Sequence, residues 1–377
     1  MKKTCILFGA GADSFYDVKT GEDFALRVVG EHTEVMNKAI IKFYNDFDYE
    51  NNDWCNKITK SDLVSNGKLN KKIVKTSLKV KHLTENLQCI KNKTSFDNEI
   101  ANKLKNLDEF QTKNFFLNNR LSYMGILESK FHSFIYPKFL GPDNFWIVVK
   151  CYARAYLTII EDILEEKPDE NRYLEYLRNP KKILNEIHEK IDLIKERNSY
   201  YSVIAKAINN AKEMISIVTT NYTPICEQIT HIENDKIAYI HGKIGLFEDP
   251  YLTKVSDVSA GDELPKSLYV PYLFVQSGVK PIIENTQITA YHKMIKFFDS
   301  AERIIIVGYR LNVDDHHVNC LIRNNFYKKE IIYLDFDDLK SEYITRVLRL
   351  DKNENCLKHI KINRENCLEK FKRILLD

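Results

Sequence analysis

Thr4-Cys5-Ile6-Leu7-Phe8-Gly9-Ala10-Gly11-Ala12-Asp13-Ser14 decides the reading of the fold. Cys5 to Phe8 is apolar without alternation, the pattern of a strand buried on both faces of a parallel sheet. It runs directly into Gly9-Ala10-Gly11, where two glycines allow a tight turn and a close approach of backbone to a pyrophosphate. Ser14 stands at the third glycine of the dinucleotide fingerprint, so a plain tight turn remains an alternative. After Met1-Lys2-Lys3 the run imitates a secretion signal, but it is too short and ends in glycines and Asp13. A helix is expected from about Glu22.

Further along, β-branched runs return at Ile215–Thr220, Ile237–Ile240, Arg303–Val307 and Ile331–Leu334. Helical text separates them at Tyr201–Met214, Gln287–Phe298 and Val318–Phe326, which gives βαβ alternation and predicts one parallel sheet. Between the first strand and this series, Phe115–Phe134, Ile147–Leu164 and Ile183–Ile194 carry apolar residues at helical spacing, while Asn51–Lys72 is polar and strand-free. The fold class expected is α/β: a doubly wound, Rossmann-like parallel sheet with a large helical insertion and no zinc module. Residues 1–30 and 200–350 form the sheet domain, 31–199 the insertion and 351–377 a C-terminal extension.

With 377 residues and 44% hydrophobic content, the chain can bury a large core. Its 56 Lys and Arg nearly balance 53 Asp and Glu, so nothing in the charge points to nucleic acid, and the lysines of Lys68–Lys81 read as a solvated face. No window reaches the roughly 18 apolar residues of a membrane span. The eight cysteines stand singly, without the spacing of a zinc knuckle, so no metal is expected and a reducing cytoplasm fits.

The chemistry-bearing residues fall where predicted strands end, the place where open α/β sheets bind ligands. Thr219-Thr220-Asn221-Tyr222-Thr223 puts Asn221 at one strand end, although Asn there is also a turn former. His241-Gly242 follows the next strand. Val307-Gly308-Tyr309-Arg310-Leu311-Asn312-Val313-Asp314-Asp315 follows another, with Gly308 opening the backbone and Asp314 or Asp315 able to cap the next helix. Asp335 closes the last strand, as a ribose-holding acid or an ordinary strand-end aspartate.

In this order, the Gly-Ala-Gly turn, Thr-x-Asn-Tyr, His-Gly and Gly-x-x-Leu-x-x-Asp resemble the sirtuin family, and more closely its bacterial NAD-consuming antiphage-defence branch. The likeness covers about residues 1–25 and 200–340. It implies that Gly9, Ala10, Gly11 and Ala12 line the NAD pyrophosphate, with Asp13 and Thr220 beside them. Asn221 would hold the nicotinamide ribose, His241 would be the catalytic base, and Gly308, Leu311 and the acidic pair Asp314-Asp315 would border the adenosine end, with Asp335 read from its strand end as a cofactor-binding acid. The departures are specific. Asp13 replaces the serine of deacetylating sirtuins, Thr223 replaces the aspartate after their Asn-Ile, and their zinc cysteines are absent.

The resemblance therefore implies NAD as substrate and water as acceptor, with cleavage to ADP-ribose and nicotinamide. Breaking a bond to a cationic leaving group needs no general acid, and a histidine, mostly neutral at pH 7, can take the remaining proton. Cyclisation of NAD, protein deacylation and a non-catalytic sensor of NAD or ADP-ribose are the alternatives. Control is expected in the insertion, through a homo-oligomer or an activating partner such as a HerA-like ATPase.

Overall fold

The computed structural model describes residues 2–19, 24, 27–28, 34–45, 142–208, 214–249, 254–265, 268–274, 284–312, 315–336, 339, 341–350 and 357–377. The expected helix at Phe115–Phe134, the polar stretch Asn51–Lys72, the helix start at Glu22 and the site residue Asp314 lie outside them.

Six parallel strands form the main sheet: β1 (Thr4–Phe8), β2 (Ile215–Thr219), β3 (Ile237–Tyr239), β7 (Arg303–Val307), β8 (Glu330–Asp335) and β9 (Leu357–Lys361). They lie in the order β3-β2-β1-β7-β8-β9. Counted within the sheet this is 3-2-1-4-5-6, the doubly wound order whose direction reverses between the first and fourth strands. The first sequence motif thus belongs to the central strand, beside the reversal point.

Alternate residues of each inner strand enter opposite cores, the reason for the unalternating apolar text. Ile6, Phe8, Ile305 and Val307 enter one; Cys5, Leu7, Ile304 and Ile306 enter the other. The first core is covered by α1 (Glu34–Asn45), α2 (Pro142–Leu164), α3 (Glu170–Arg178), α4 (Pro180–Ile194), α5 (Tyr200–Ile208), α6 (Ile225–Thr230) and α10 (Cys367–Leu376). The second is covered by α7 (Asn285–Ser300), α8 (His316–Asn325) and α9 (Ser341–Leu348). The described part of the insertion is helical, and its apolar faces join the core of the sheet: Tyr152, Tyr156, Ile183 and Ile187 are buried in the same cluster as Phe8.

Two features escape the sequence reading. Directly after His241, β4 (Gly242–Asp249), β5 (Lys254–Asp257) and β6 (Val270–Leu273) form a small antiparallel sheet in the order β5-β4-β6. The boundary at 350 is also corrected: β9 pairs with β8 from Ile331↔Leu357 to Asp335↔Lys361, and Phe371 and Leu375 of α10 enter the first core. Residues 357–377 therefore add a strand to the sheet and a helix to one of its faces. Arg303 at the start of β7 fastens α10 by donating to the carbonyls of Ile374 (2.5 Å) and Leu375 (3.2 Å) at the helix end, and to Thr4 Oγ1 (3.1 Å). Among the described residues no helix is long and apolar enough to cross a membrane.

Candidate functional site

Sheet register brings the strand-end residues into line. Phe8 pairs with Thr219 on one side and Val307 on the other, and Val307 pairs with Leu334. One residue past this row stand Gly9, Thr220, Gly308 and Asp335, four of the expected site residues on one rim. Thr219 also pairs with Tyr239, so Asn221 and His241 occupy equivalent positions two residues beyond neighbouring strands.

Directly after β1 runs a 3-10 segment, Ala10–Tyr16, with Gly9 at its N-cap. Its glycines interlock with Gly308. A Cβ on Gly9 would lie 2.5 Å from Gly308 O, and one on Gly308, whose φ is +63°, would lie 2.5 Å from Ala12 N. The amides of Gly9, Gly11 and Ala12 donate to Val307 O (2.9 Å), Gly308 O (3.0 Å) and Gly9 O (2.9 Å). Glycine is thus required for two turns to touch at the reversal point, and these three amides serve the protein's own carbonyls. A ligand along Gly9–Ala12 would meet closely apposed backbone rather than a ring of amide donors.

Asp13 lies under Asn221. It is buried, and its Oδ1 accepts from Asn221 Nδ2 (2.8 Å) and from the Tyr201 hydroxyl, while Oδ2 accepts from Thr223 Oγ1 (2.6 Å). Asn221 Nδ2 also reaches the Tyr201 oxygen (3.2 Å), and the Asn221 amide is anchored on Thr219 Oγ1 (3.0 Å). Burial pushes the Asp13 carboxyl up to about 6, against the opposing effect of the hydrogen bonds from Thr223, Tyr201 and Asn221. Because the carboxylate needs a donor, the network fixes the orientation of the Asn221 amide and leaves Oδ1 on its other side. That oxygen is buried and has no hydrogen-bond partner. An orphaned buried acceptor costs about 1–3 kcal/mol, which a ligand hydroxyl would recover.

His241 follows β3, with the carbonyls on either side of its peptide held by Gln287 Nε2 on Ile240 O (2.6 Å) and Phe274 N on His241 O (2.9 Å). Its Nε2 lies 3.2 Å from His317 Nε2 and 3.6 Å from Asp315 Oδ1. Asp315 stands at the N-cap of α8 without capping it; its Oδ2 accepts from the Tyr309 hydroxyl (3.3 Å). His317 was not singled out from sequence, although Asp315-x-His317 after a glycine turn offered a signal. Tyr201 offered none, since helical spacing says only that a tyrosine there is core.

The adenosine-side residues are placed as follows. Leu311 is buried in the second core with its backbone left-handed (φ +53°), and its carbonyl accepts from Tyr343 (3.3 Å). Asp335 Oδ2 accepts from the Leu339 amide (2.6 Å) and lies 2.7 Å from His359 Nε2, so this carboxylate already holds β8, the turn after it and β9 together. Thr220 donates its amide to Phe8 O (3.0 Å) and is half-buried on the rim. The absence of metal expected from cysteine spacing does not speak to His241, Asp315 and His317, whose donor atoms lie within 4.8 Å of one another.

No family model matches the chain, and no curated protein matches it. It is similar to solved structures of sirtuins. One from work on sirtuin substrate affinity is 15% identical, covering 55% of this chain and 85% of that one, with a TM-score of 0.32. A Sir2 homologue in complex with NAD is 12% identical over 57% of this chain and 77% of its own, with a TM-score of 0.32. Sir2 bound to acetylated peptide is 12% identical over 54% and 80%, with a TM-score of 0.31.

Proposed function

We propose that the chain is an NAD glycohydrolase, cleaving NAD to ADP-ribose and nicotinamide. The observation that carries this reading is the partnerless Oδ1 of Asn221, held by Asp13 at the carboxyl rim of a 3-2-1-4-5-6 sheet, beside its reversal point. In this reading Gly9–Ala12 pass the pyrophosphate, Thr220 lies beside it, and Gly308, Leu311, Asp314 and Asp335 border the adenosine end. Asp13 positions Asn221 rather than touching NAD.

Asn221 Oδ1 accepts a ribose hydroxyl and so fixes the sugar over the rim. The ribose C1′–nitrogen bond breaks with its electron pair going to nicotinamide, whose positive charge is thereby neutralised. The oxygen of a water molecule bonds to C1′, and His241 takes the proton that water loses. Positioning supplies much of the acceleration, and a general base typically contributes about 10²- to 10⁴-fold.

Depletion of NAD fits a role in antiphage defence within a cytoplasm, and such an activity requires an off state. The insertion between β1 and β2 is the candidate controlling region, through self-association or an activating partner of the HerA-like ATPase kind. The decisive experiment follows free nicotinamide over time with wild type and Asn221→Ala, both shown to be folded, alone and after sizing by sedimentation. Equal rates, or no release under any state of assembly, would remove the reading; chromatography of the product separates hydrolysis from cyclisation.

A further inference from the structure

We propose that His241, Asp315 and His317 form a binding site for one zinc-class divalent cation. The three side chains come from two places in the chain. His241 lies between β3 and β4, while Asp315 is the N-cap residue of α8 and His317 lies in its first turn. Their donors converge: His241 Nε2 is 3.2 Å from His317 Nε2 and 3.6 Å from Asp315 Oδ1, and all three donor atoms lie within 4.8 Å of one another. A tetrahedral zinc with bonds of about 2.0–2.1 Å separates its ligand atoms by roughly 3.3 Å, so the two measured edges bracket the expected one.

Chemistry selects the same cation. Two imidazoles and one carboxylate are a known zinc donor set with a further position left for an outside ligand, whereas magnesium prefers oxygen throughout. Two imidazole Nε2 atoms cannot face each other as lone pairs at 3.2 Å without repulsion. Either one carries a proton shared with the other, or a cation sits between them. The surroundings suit the second filling. The Asp315 carboxylate also accepts from Tyr309, whose hydroxyl lies 3.2 Å from Asn319 Oδ1, and the Tyr291 ring packs edge-on against His317 at 5.3 Å between centroids. Such outer contacts orient metal ligands. His241 and Asp315 are buried and His317 is half-buried.

Zinc on His241 Nε2 takes the lone pair that the proposed base uses, so the loaded chain is expected to be silent toward NAD; that consequence alone rests on the glycohydrolase reading. The test is calorimetric titration of the chelator-stripped full chain with zinc chloride and, separately, magnesium chloride, without NAD. One zinc equivalent and no magnesium are expected, with the affinity for zinc falling by more than about 10²-fold in both His317→Ala and Asp315→Asn, beyond the usual effect of removing an outer-shell partner. In wild type alone, zinc should shield His317 from diethyl pyrocarbonate, read by mass spectrometry. Zinc uptake unaltered by either folded variant, or His317 modified equally with and without zinc, overturns the site. Since uptake and shielding are read without NAD, their failure leaves the hydrolase reading intact, and an inactive chain that still takes up zinc leaves the site intact.

Discussion

Thr223 Oγ1 donates to Asp13 Oδ2 across 2.6 Å, joining the turn after β1 to the turn after β2. Both are among the positions where the resemblance to deacetylating sirtuins implies a departure, a serine expected at 13 and an aspartate at 223. The two residues are in contact, so one carboxylate and one hydroxyl share a hydrogen bond and the carboxylate also lies beneath Asn221. Swapping them back, as Asp13→Ser with Thr223→Asp, is expected to retain much more NAD cleavage than either single change. Rates for the two singles and the double form a mutant cycle, and additive losses would show that the exchange is not compensating.

Asp13 also gives a pH signature. Its folded pKa of about 6 is raised above the ordinary 3.8, so the folded state binds the extra proton between those values. Its favourable contribution is therefore complete below about pH 4 and is lost as pH rises through 6, by about 3 kcal/mol in all. Urea denaturation from pH 4 to 7 should show that decline superimposed on the titration of other groups, and Asp13→Asn should remove it. A wild-type minus variant difference that is flat across the window would contradict the displaced carboxyl.

The central strand, the βαβ alternation and the rim positions of Gly9, Asn221, His241 and Gly308 were legible because each depends on local text: an unalternating apolar run, then a turn residue. The helical lining of the insertion was legible for Ile147–Leu164 and Ile183–Ile194 from apolar spacing. What stayed hidden depends on distance in sequence. Tyr201 reaches Asp13 across 188 residues, and His317 meets His241 across 76. β9, with Lys358, His359 and Lys361 facing partly outward, is an edge strand whose polar text imitates a tail. The glycines at 9 and 308 were legible as turns, but not as a mutual contact.

That contact predicts unequal responses to one added methyl group. Gly308 and Gly261 both have left-handed backbones, at φ +63° and +94°, yet a Cβ on Gly261 meets nothing within 4 Å while one on Gly308 meets Ala12 N at 2.5 Å. Gly261→Ala should cost about 1–2 kcal/mol, the left-handed strain alone. Gly308→Ala adds a backbone clash that no rotamer relieves, and should cost well above that, with loss of NAD cleavage as the turn after β1 shifts. Denaturation midpoints for the pair check this, and equal losses would argue against the interlock.

Arg303 separates stability from activity. Its guanidinium binds the last carbonyls of α10 and Thr4 Oγ1 at the amino end of the sheet, opposite the rim that carries Asn221 and His241. Replacing it by Met fills similar volume but orphans the Ile374 and Leu375 carbonyls, at about 1.5–3 kcal/mol for charge-assisted hydrogen bonds with a smaller dipole contribution. Arg303→Lys should recover only part, because a single ammonium cannot span two carbonyls and a hydroxyl in the fixed fork of a guanidinium. NAD cleavage per folded molecule should stay at the wild-type level in both variants, since the register of β7 with β1 is set by backbone bonds from Thr4↔Arg303 to Phe8↔Val307. A fall in activity beyond the fraction unfolded would mean that α10 governs the rim from the far end of the strand.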